Sequence, residues 1–166
     1  GEATAAAVLQ IVAPGARPEQ IVLGSHLDSV PNGGWLDGAL GVVTAAEVLR
    51  GLHRDGVELP VSVSVVDWAD EEGARFGRSL FGSGAVSGTL DVDAVRELVD
   101  NKGDRLDDIV RQYGVELDTA LTAGDVVGSI VASAELHIEQ GPILERDGLP
   151  IAALDGILGV ERRLIK

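Results

Sequence analysis

Cysteine is absent from the 166 residues, which excludes disulfides and thiolate-ligated metal sites alike. Any metal bound here is held by histidine, aspartate and glutamate, and histidine is scarce: only His26, His53 and His137. Methionine is also absent, the initiator included. Gly1 is therefore not expected to be the natural start, and the lack of a visible signal peptide says little about location. Aromatics make up only 3%, so packing falls to Ala, Val, Leu and Ile. No apolar run approaches the roughly 20 residues of a membrane span. Basic residues are outnumbered, 13 Lys and Arg against 27 Asp and Glu, for a formal net charge of -14. Binding to nucleic acid or to an anionic membrane surface needs the opposite balance, and no such partner is expected. The excess is otherwise that of an ordinary acidic surface.

What is present describes one domain with a real core: 45% hydrophobic and 24% charged residues, with 22 glycines for tight turns. Ala5 to Val12 is an apolar run of strand length closed by Pro14-Gly15. Ile21-Val22-Leu23 is short and continuous, as in a strand buried on both faces. A glycine-rich loop (31–38) leads into an expected helix over Leu40 to His53, with Val42, Val43, Ala46 and Leu49 as its apolar positions. Val61 to Trp68 is a further strand, and Ser79 to Ser87 a short helix. Asp91 to Asp118 is expected to be helical, with Leu106, Ile109, Val110 and Tyr113 at the spacing of one buried stripe. Ala134 to Ile138, Ile151 to Leu154 and Val160 to Ile165 complete the expected strands. Strands alternating with helices predict an α/β layered domain with a mixed, mainly parallel sheet flanked by helices.

Polar residues gather at three strand ends: His26 with Asp28 and Asp37, then Glu71-Glu72, then His137 with Glu139. Nitrogen and carboxylate donors without thiolate suit zinc, manganese, cobalt or nickel in sites open to water. A bridging carboxylate can hold two such ions about 3.5–4 Å apart, which activates water and polarises a carbonyl. Adjacent Glu71 and Glu72 can divide the labour, one binding metal and the other taking a proton. Taken singly, each signal is weak, since a lone His-x-Asp or Glu-Glu pair is usually an ordinary polar pair. His53, among Leu52, Arg54 and Asp55 on a helix, carries no functional expectation. The ordered combination at successive strand ends is what points to a metal.

Three longer segments resemble the signatures of the carbamoyl-amino-acid hydrolase family (N-carbamoyl-L-amino-acid hydrolase, allantoate amidohydrolase and β-ureidopropionase), within the aminoacylase and dipeptidase metallohydrolase superfamily. They are Gly24-Ser25-His26-Leu27-Asp28-Ser29-Val30-Pro31-Asn32-Gly33-Gly34 with Leu36-Asp37-Gly38-Ala39-Leu40-Gly41-Val42; Asp70-Glu71-Glu72-Gly73-Ala74-Arg75-Phe76-Gly77 with Gly82-Ser83; and Glu135-Leu136-His137-Ile138-Glu139-Gln140-Gly141-Pro142 with Leu144-Glu145. The third discriminates best from peptidase relatives. Trp35 and Trp68 depart from the pattern, and neither falls on a ligand position. The resemblance implies a zinc-exopeptidase-like catalytic domain and a cofactor of two divalent metal ions, Zn or Mn, with Co or Ni possible. It places His26, Asp37 and His137 around one ion, with Asp37 bridging to a second that Glu72 also binds. Glu71 becomes the general acid/base, Asp28 the carboxylate that orients His26, and Gln140 a substrate contact.

The same resemblance implies that the chain is incomplete. The family's second metal takes a further histidine near the natural C-terminus, and none follows His137 here. Residues 1–158 are expected to be the N-terminal portion of the catalytic domain, and 159–166 the start of a lid and dimerisation domain. The implied activity is hydrolysis of linear C–N bonds in N-carbamoyl-L-amino acids, allantoate or related ureido compounds, by a cytoplasmic homodimer joined through the lid. The chain alone is expected to be inactive. The alternatives are a metallo-aminopeptidase or aminoacylase of the same superfamily, and a non-catalytic remnant serving as an assembly module.

Overall fold

The computed structural model describes residues 8–154 and 156, with side chains from residue 13 onward. Four strands form one mixed sheet: β1 (Val8–Ala13), β2 (Arg17–Ser25), β3 (Val61–Trp68) and β4 (Ile130–Ala134), in the order β1-β3-β2-β4. β1 lies antiparallel to β3, while β3, β2 and β4 run parallel. Parallel neighbours need crossovers, and they supply the rest of the fold. Helix α1 (Ala39–Arg54) links β2 to β3. Helices α2 (Phe81–Ser87), α3 (Val92–Arg96) and α4 (Leu106–Gln112), with a 3₁₀ stretch over Leu117–Ser129, link β3 to β4. A short α5 (Ile143–Asp147) follows. The expected mixed, mainly parallel sheet flanked by helices is what forms.

β3 buries Val61, Val63, Val65 and Val66, and the adjacent pair Val65-Val66 shows both of its faces covered. β2 is covered unevenly: Gln20, Val22 and Gly24 are buried, but Ile21 and Leu23 only partly. Buried Gln20 is satisfied on both sides, donating from Nε2 to Ser129 Oγ at 2.7 Å and accepting from Ser64 Oγ at 2.6 Å. It therefore ties three elements together. α1 meets the sheet through Gly41 and Ala45, while Val43 remains 63% exposed. A second core lies among the crossover helices, where Phe81, Ala85, Val86, Leu90, Val95, Leu106, Leu117, Ala120 and Ala123 pack together.

Three sequence expectations need correction. The strand expected over Ala134 to Ile138 lies earlier, at Ile130–Ala134. Its last partner is Leu23 opposite Ala134; beyond that the chain leaves the ladder and carries His137 across the strand ends. Ile151 to Leu154 form no strand and are exposed. Tyr113 is 77% exposed rather than part of a buried stripe, because α4 ends at Gln112 and Tyr113 occupies the cap, off the helical track. Val160 to Ile165 lie outside the described residues.

Candidate metal centre

Each site residue sits just past the C-terminal end of a parallel strand, where open α/β sheets leave a crevice. β2 ends at Ser25 and delivers His26; β3 ends at Trp68 and leads into Asp70-Glu71-Glu72; β4 ends at Ala134 and leads to His137. Asp37 closes the glycine loop just before α1. His26 and Asp37 are almost entirely buried, at 3% and 2% exposure. Gly38 makes room for the His26 ring: its φ is +71°, and a Cβ there would lie 2.3 Å from the imidazole.

The two imidazoles face each other with Nε2 atoms 3.3 Å apart. Their other nitrogens are both committed, His26 Nδ1 to the Asp28 carbonyl at 2.7 Å and His137 Nδ1 to the Ile138 carbonyl at 2.8 Å. A carbonyl only accepts, so each Nδ1 carries the hydrogen. In the neutral tautomers both Nε2 lone pairs then point into the same space. Two lone pairs converge in this way around a cation, and backbone carbonyls fix ligand histidines by this means. Nitrogens about 2.0–2.1 Å from one tetrahedral ion stand about 3.3–3.4 Å apart, which is the spacing found.

Carboxylates surround the pair. His137 Nε2 lies 3.6 Å from Asp37 Oδ1, and His26 Nε2 lies 3.8 Å from Glu72 Oε1. His26, Asp37 and Glu72 place ligand atoms within 4.8 Å of one another, as do His26, Glu135 and His137. Among the described residues buried Asp37 receives one hydrogen bond, from Gln140 Nε2 at 2.7 Å, and Gln140 adopts φ +55° to reach it. A buried carboxylate with so little compensation calls for a positive partner. The donor set fits a divalent ion.

The remaining residues hold this arrangement. The Asp28 carboxylate accepts from the backbone N–H of Glu71 at 3.1 Å and of Glu72 at 2.9 Å, and stands 3.6 Å from His26 Nδ1. It thereby pins the Glu-Glu turn while its own carbonyl orients the imidazole. Glu71 accepts at Oε1 from Ser83 Oγ at 2.8 Å, and its Oε2 is buried without a hydrogen-bond partner among the described residues. Burial pushes its pKa up, partly opposed by the Ser83 hydroxyl and N–H. Burial and the neighbouring Asp28 charge push Asp70 to about 6. Glu139 turns away, capping the start of α5 through the N–H groups of Ile143 and Leu144 at 2.9 and 2.8 Å. His53 is exposed on α1, far along the helix from the strand ends. Glu135 was missed. The signal was its position two residues before His137, which in extended backbone puts both side chains on one side.

An α/β layer with imidazoles and carboxylates gathered at its strand ends is a metallohydrolase scaffold, and the chain belongs to peptidase family M20/M25/M40, whose profile matches residues 22–153. Within that family it is similar to N-carbamoyl-L-amino acid amidohydrolase of Geobacillus stearothermophilus, 43% identical over 140 residues, covering 84% of this chain and 34% of that protein. It is also similar to allantoate deiminase 2 of Glycine max, 34% identical over 151 residues, covering 89% of this chain and 31% of that one. Among solved structures, an amidase of the hydantoinase/carbamoylase family from Burkholderia multivorans superimposes with a TM-score of 0.72 at 34% identity, over 86% of this chain and 34% of that one. The chain thus spans about a third of the length of these relatives.

Proposed function

We propose that this chain is the metal-binding portion of a longer amidohydrolase that cleaves linear C–N bonds in N-carbamoyl-L-amino acids, allantoate or related ureido compounds. The facing Nε2 atoms of His26 and His137, 3.3 Å apart with both Nδ1 atoms tied to carbonyls, carry this reading. The named activities of the relatives supply the substrate class. His26, Asp37, Glu72 and His137 would hold two divalent ions, zinc or manganese, together with a histidine from the longer protein. Such ions polarise a carbonyl and acidify water.

Glu71 is the proton carrier. Ser83 occupies Oε1 and orients the carboxylate, which leaves the buried, unpartnered Oε2 to take a proton from the attacking water. The water oxygen bonds to the carbonyl carbon, the C–N bond breaks, and Oε2 returns its proton to the departing nitrogen. Burial raises the pKa of Glu71 towards the working range of a general acid/base. Gln140, anchored on Asp37, stands where it can contact substrate. Residues 1–158 belong to the catalytic domain in this reading, and 159–166 begin a lid through which the longer protein dimerises.

Ammonia release from N-carbamoyl amino acids and allantoate tests the proposal. The longer protein is expected to turn over with added zinc or manganese, and the 166-residue chain is expected not to. Glu71→Gln in the longer protein keeps its metal content but loses at least about 100-fold in kcat, the usual scale of general acid/base catalysis. Undiminished turnover in that variant would refute the role given to Glu71.

A further inference from the structure

Trp35 is left in water beside the metal centre, and the reaction described above gives it no part. The chain has two Trp, one Tyr and two Phe. Phe81 lies in the helical core, and Trp68 and Phe76 pack against it. Tyr113 is exposed, but its hydroxyl is satisfied by water. Trp35 is 83% exposed and makes no hydrogen bond or ring contact among the described residues. We propose that Trp35 lines the subsite for the side chain of an N-carbamoyl-L-amino acid and selects apolar and aromatic side chains over allantoate. The inference rests on the proposed function and narrows its substrate class.

Residues 27–36 join two ligands of that centre, buried His26 and buried Asp37, and the segment is folded tightly onto Asp37. The Gly33 N–H donates to the Val30 carbonyl at 2.8 Å, and the Asp37 N–H donates to the Gly34 carbonyl at 3.4 Å. A Cβ on Gly33 would lie 3.0 Å from Asp37 Oδ2. The second bond closes a turn over 34–37, with Trp35 at its first central position and Asp37 at its end. Two residues of chain keep Trp35 within about 7 Å of the Asp37 backbone. Leu27, Val30 and Leu36 are exposed on the same segment, and residues 29–36 carry no charged side chain. Apolar surface thus adjoins an otherwise acid-lined centre.

In the reading above, the scissile carbonyl reaches the ions that Asp37 holds. The side chain of an N-carbamoyl-L-amino acid begins only a few bonds from that carbonyl, which brings it to the turn that carries Trp35. An indole gains by covering apolar or aromatic groups, and its single N–H is the only polar group it offers. Allantoate carries a second ureido group in place of a side chain. Against the indole face that group gives up water without recovering its hydrogen bonds, which is unfavourable.

The test uses the longer protein loaded with zinc or manganese, with N-carbamoyl-L-phenylalanine, N-carbamoylglycine and allantoate as substrates. Wild type is expected to favour the phenylalanine compound in kcat/KM. Trp35→Ser is expected to shrink the phenylalanine-to-glycine ratio by about 10-fold, and Trp35→Phe to keep most of it. Calorimetry in a Glu71→Gln background reads the same ratio in Kd, without turnover. An unchanged ratio in Trp35→Ser overturns the proposal, including the case where both substrates lose equally because Trp35 meets another part of the longer protein. If wild type prefers allantoate, the proposed function stands and this inference fails. If wild type hydrolyses none of the three, the proposed function fails and takes this inference with it. Should Trp35→Ser not fold, Trp35→Gln takes its place with the same two outcomes for the ratio.

Discussion

At the scale of single residues, the site depends on what surrounds the ligands as much as on the ligands. Gly38 is the plainest case. Any side chain there meets the His26 ring at 2.3 Å and must also adopt φ +71°. Gly38→Ala is expected to displace the imidazole and weaken the first metal ion by about 10-fold or more, on the scale of losses from disturbed ligand orientation; unchanged zinc affinity by calorimetry would contradict this. Asp70 gives a pH signature. Its folded pKa of about 6 lies above the ordinary aspartate value, so the folded state binds the extra proton. Stability then falls as pH rises from about 4 to about 6. Asparagine removes this titration and accepts the φ of +50° at this position. In chelator, Asp70→Asn should gain stability relative to wild type across that window and hold the gain above it, as read from urea midpoints at several pH values. A parallel shift at every pH would remove the assignment.

At the scale of elements, the crossover between β3 and β4 is a small helical core of its own. Leu117 is 1% exposed and packs with Phe81, Val95 and Leu106. Leu117→Ala is expected to cost about 2–5 kcal/mol, enough to consume much of the stability of a domain this size. Denaturant unfolding reads it directly, and a loss below about 1 kcal/mol would mean that the site collapses around the change. Most elements were legible because their patterns are local. β3 came out over the predicted residues, and α1 within one residue of its predicted bounds at each end. β4 was misplaced because Ile130–Ala134 is largely exposed and built from small residues. Its identity comes from pairing with β2, a contact between residues 110 and more positions apart, which no local period reveals. Tyr113 followed the helical spacing on paper, but the helix stops one residue before it.

At the scale of the whole molecule, negative charge is concentrated where positive charge is required. Asp37, Glu72 and Glu135 converge on two imidazoles, and Glu71 keeps a buried oxygen without a partner among the described residues. A divalent ion that binds the folded chain and not the unfolded one raises stability by mass action, about 2.7 kcal/mol at a hundredfold excess over Kd. Zinc or manganese should therefore raise the Tm by several degrees, and a chelator should reverse the rise. A Tm indifferent to both would show that the carboxylates repel one another without a bound ion. Apolar surface is also left uncovered, with Val131 of β4 59% exposed and Ile151, beyond α5, 66% exposed. Among the described residues no helix is long and apolar enough to cross a membrane, and the chain spans about a third of its relatives.

The sequence by itself determined the layered α/β plan, the donor chemistry and the order in which the donors occur. Those follow from residue type and short-range periodicity, and the absence of cysteine narrowed the donors further. Only the tertiary structure decided which donors meet. It turned Glu139 into a helix cap, gave the Asp28 carboxylate to the Glu71 and Glu72 amides, and brought Glu135 against two imidazoles. The physical reason is that convergence depends on strand register and on the close approach of α1 at Gly41. Both are set by contacts between segments far apart in the chain, and a linear pattern does not encode distance in space.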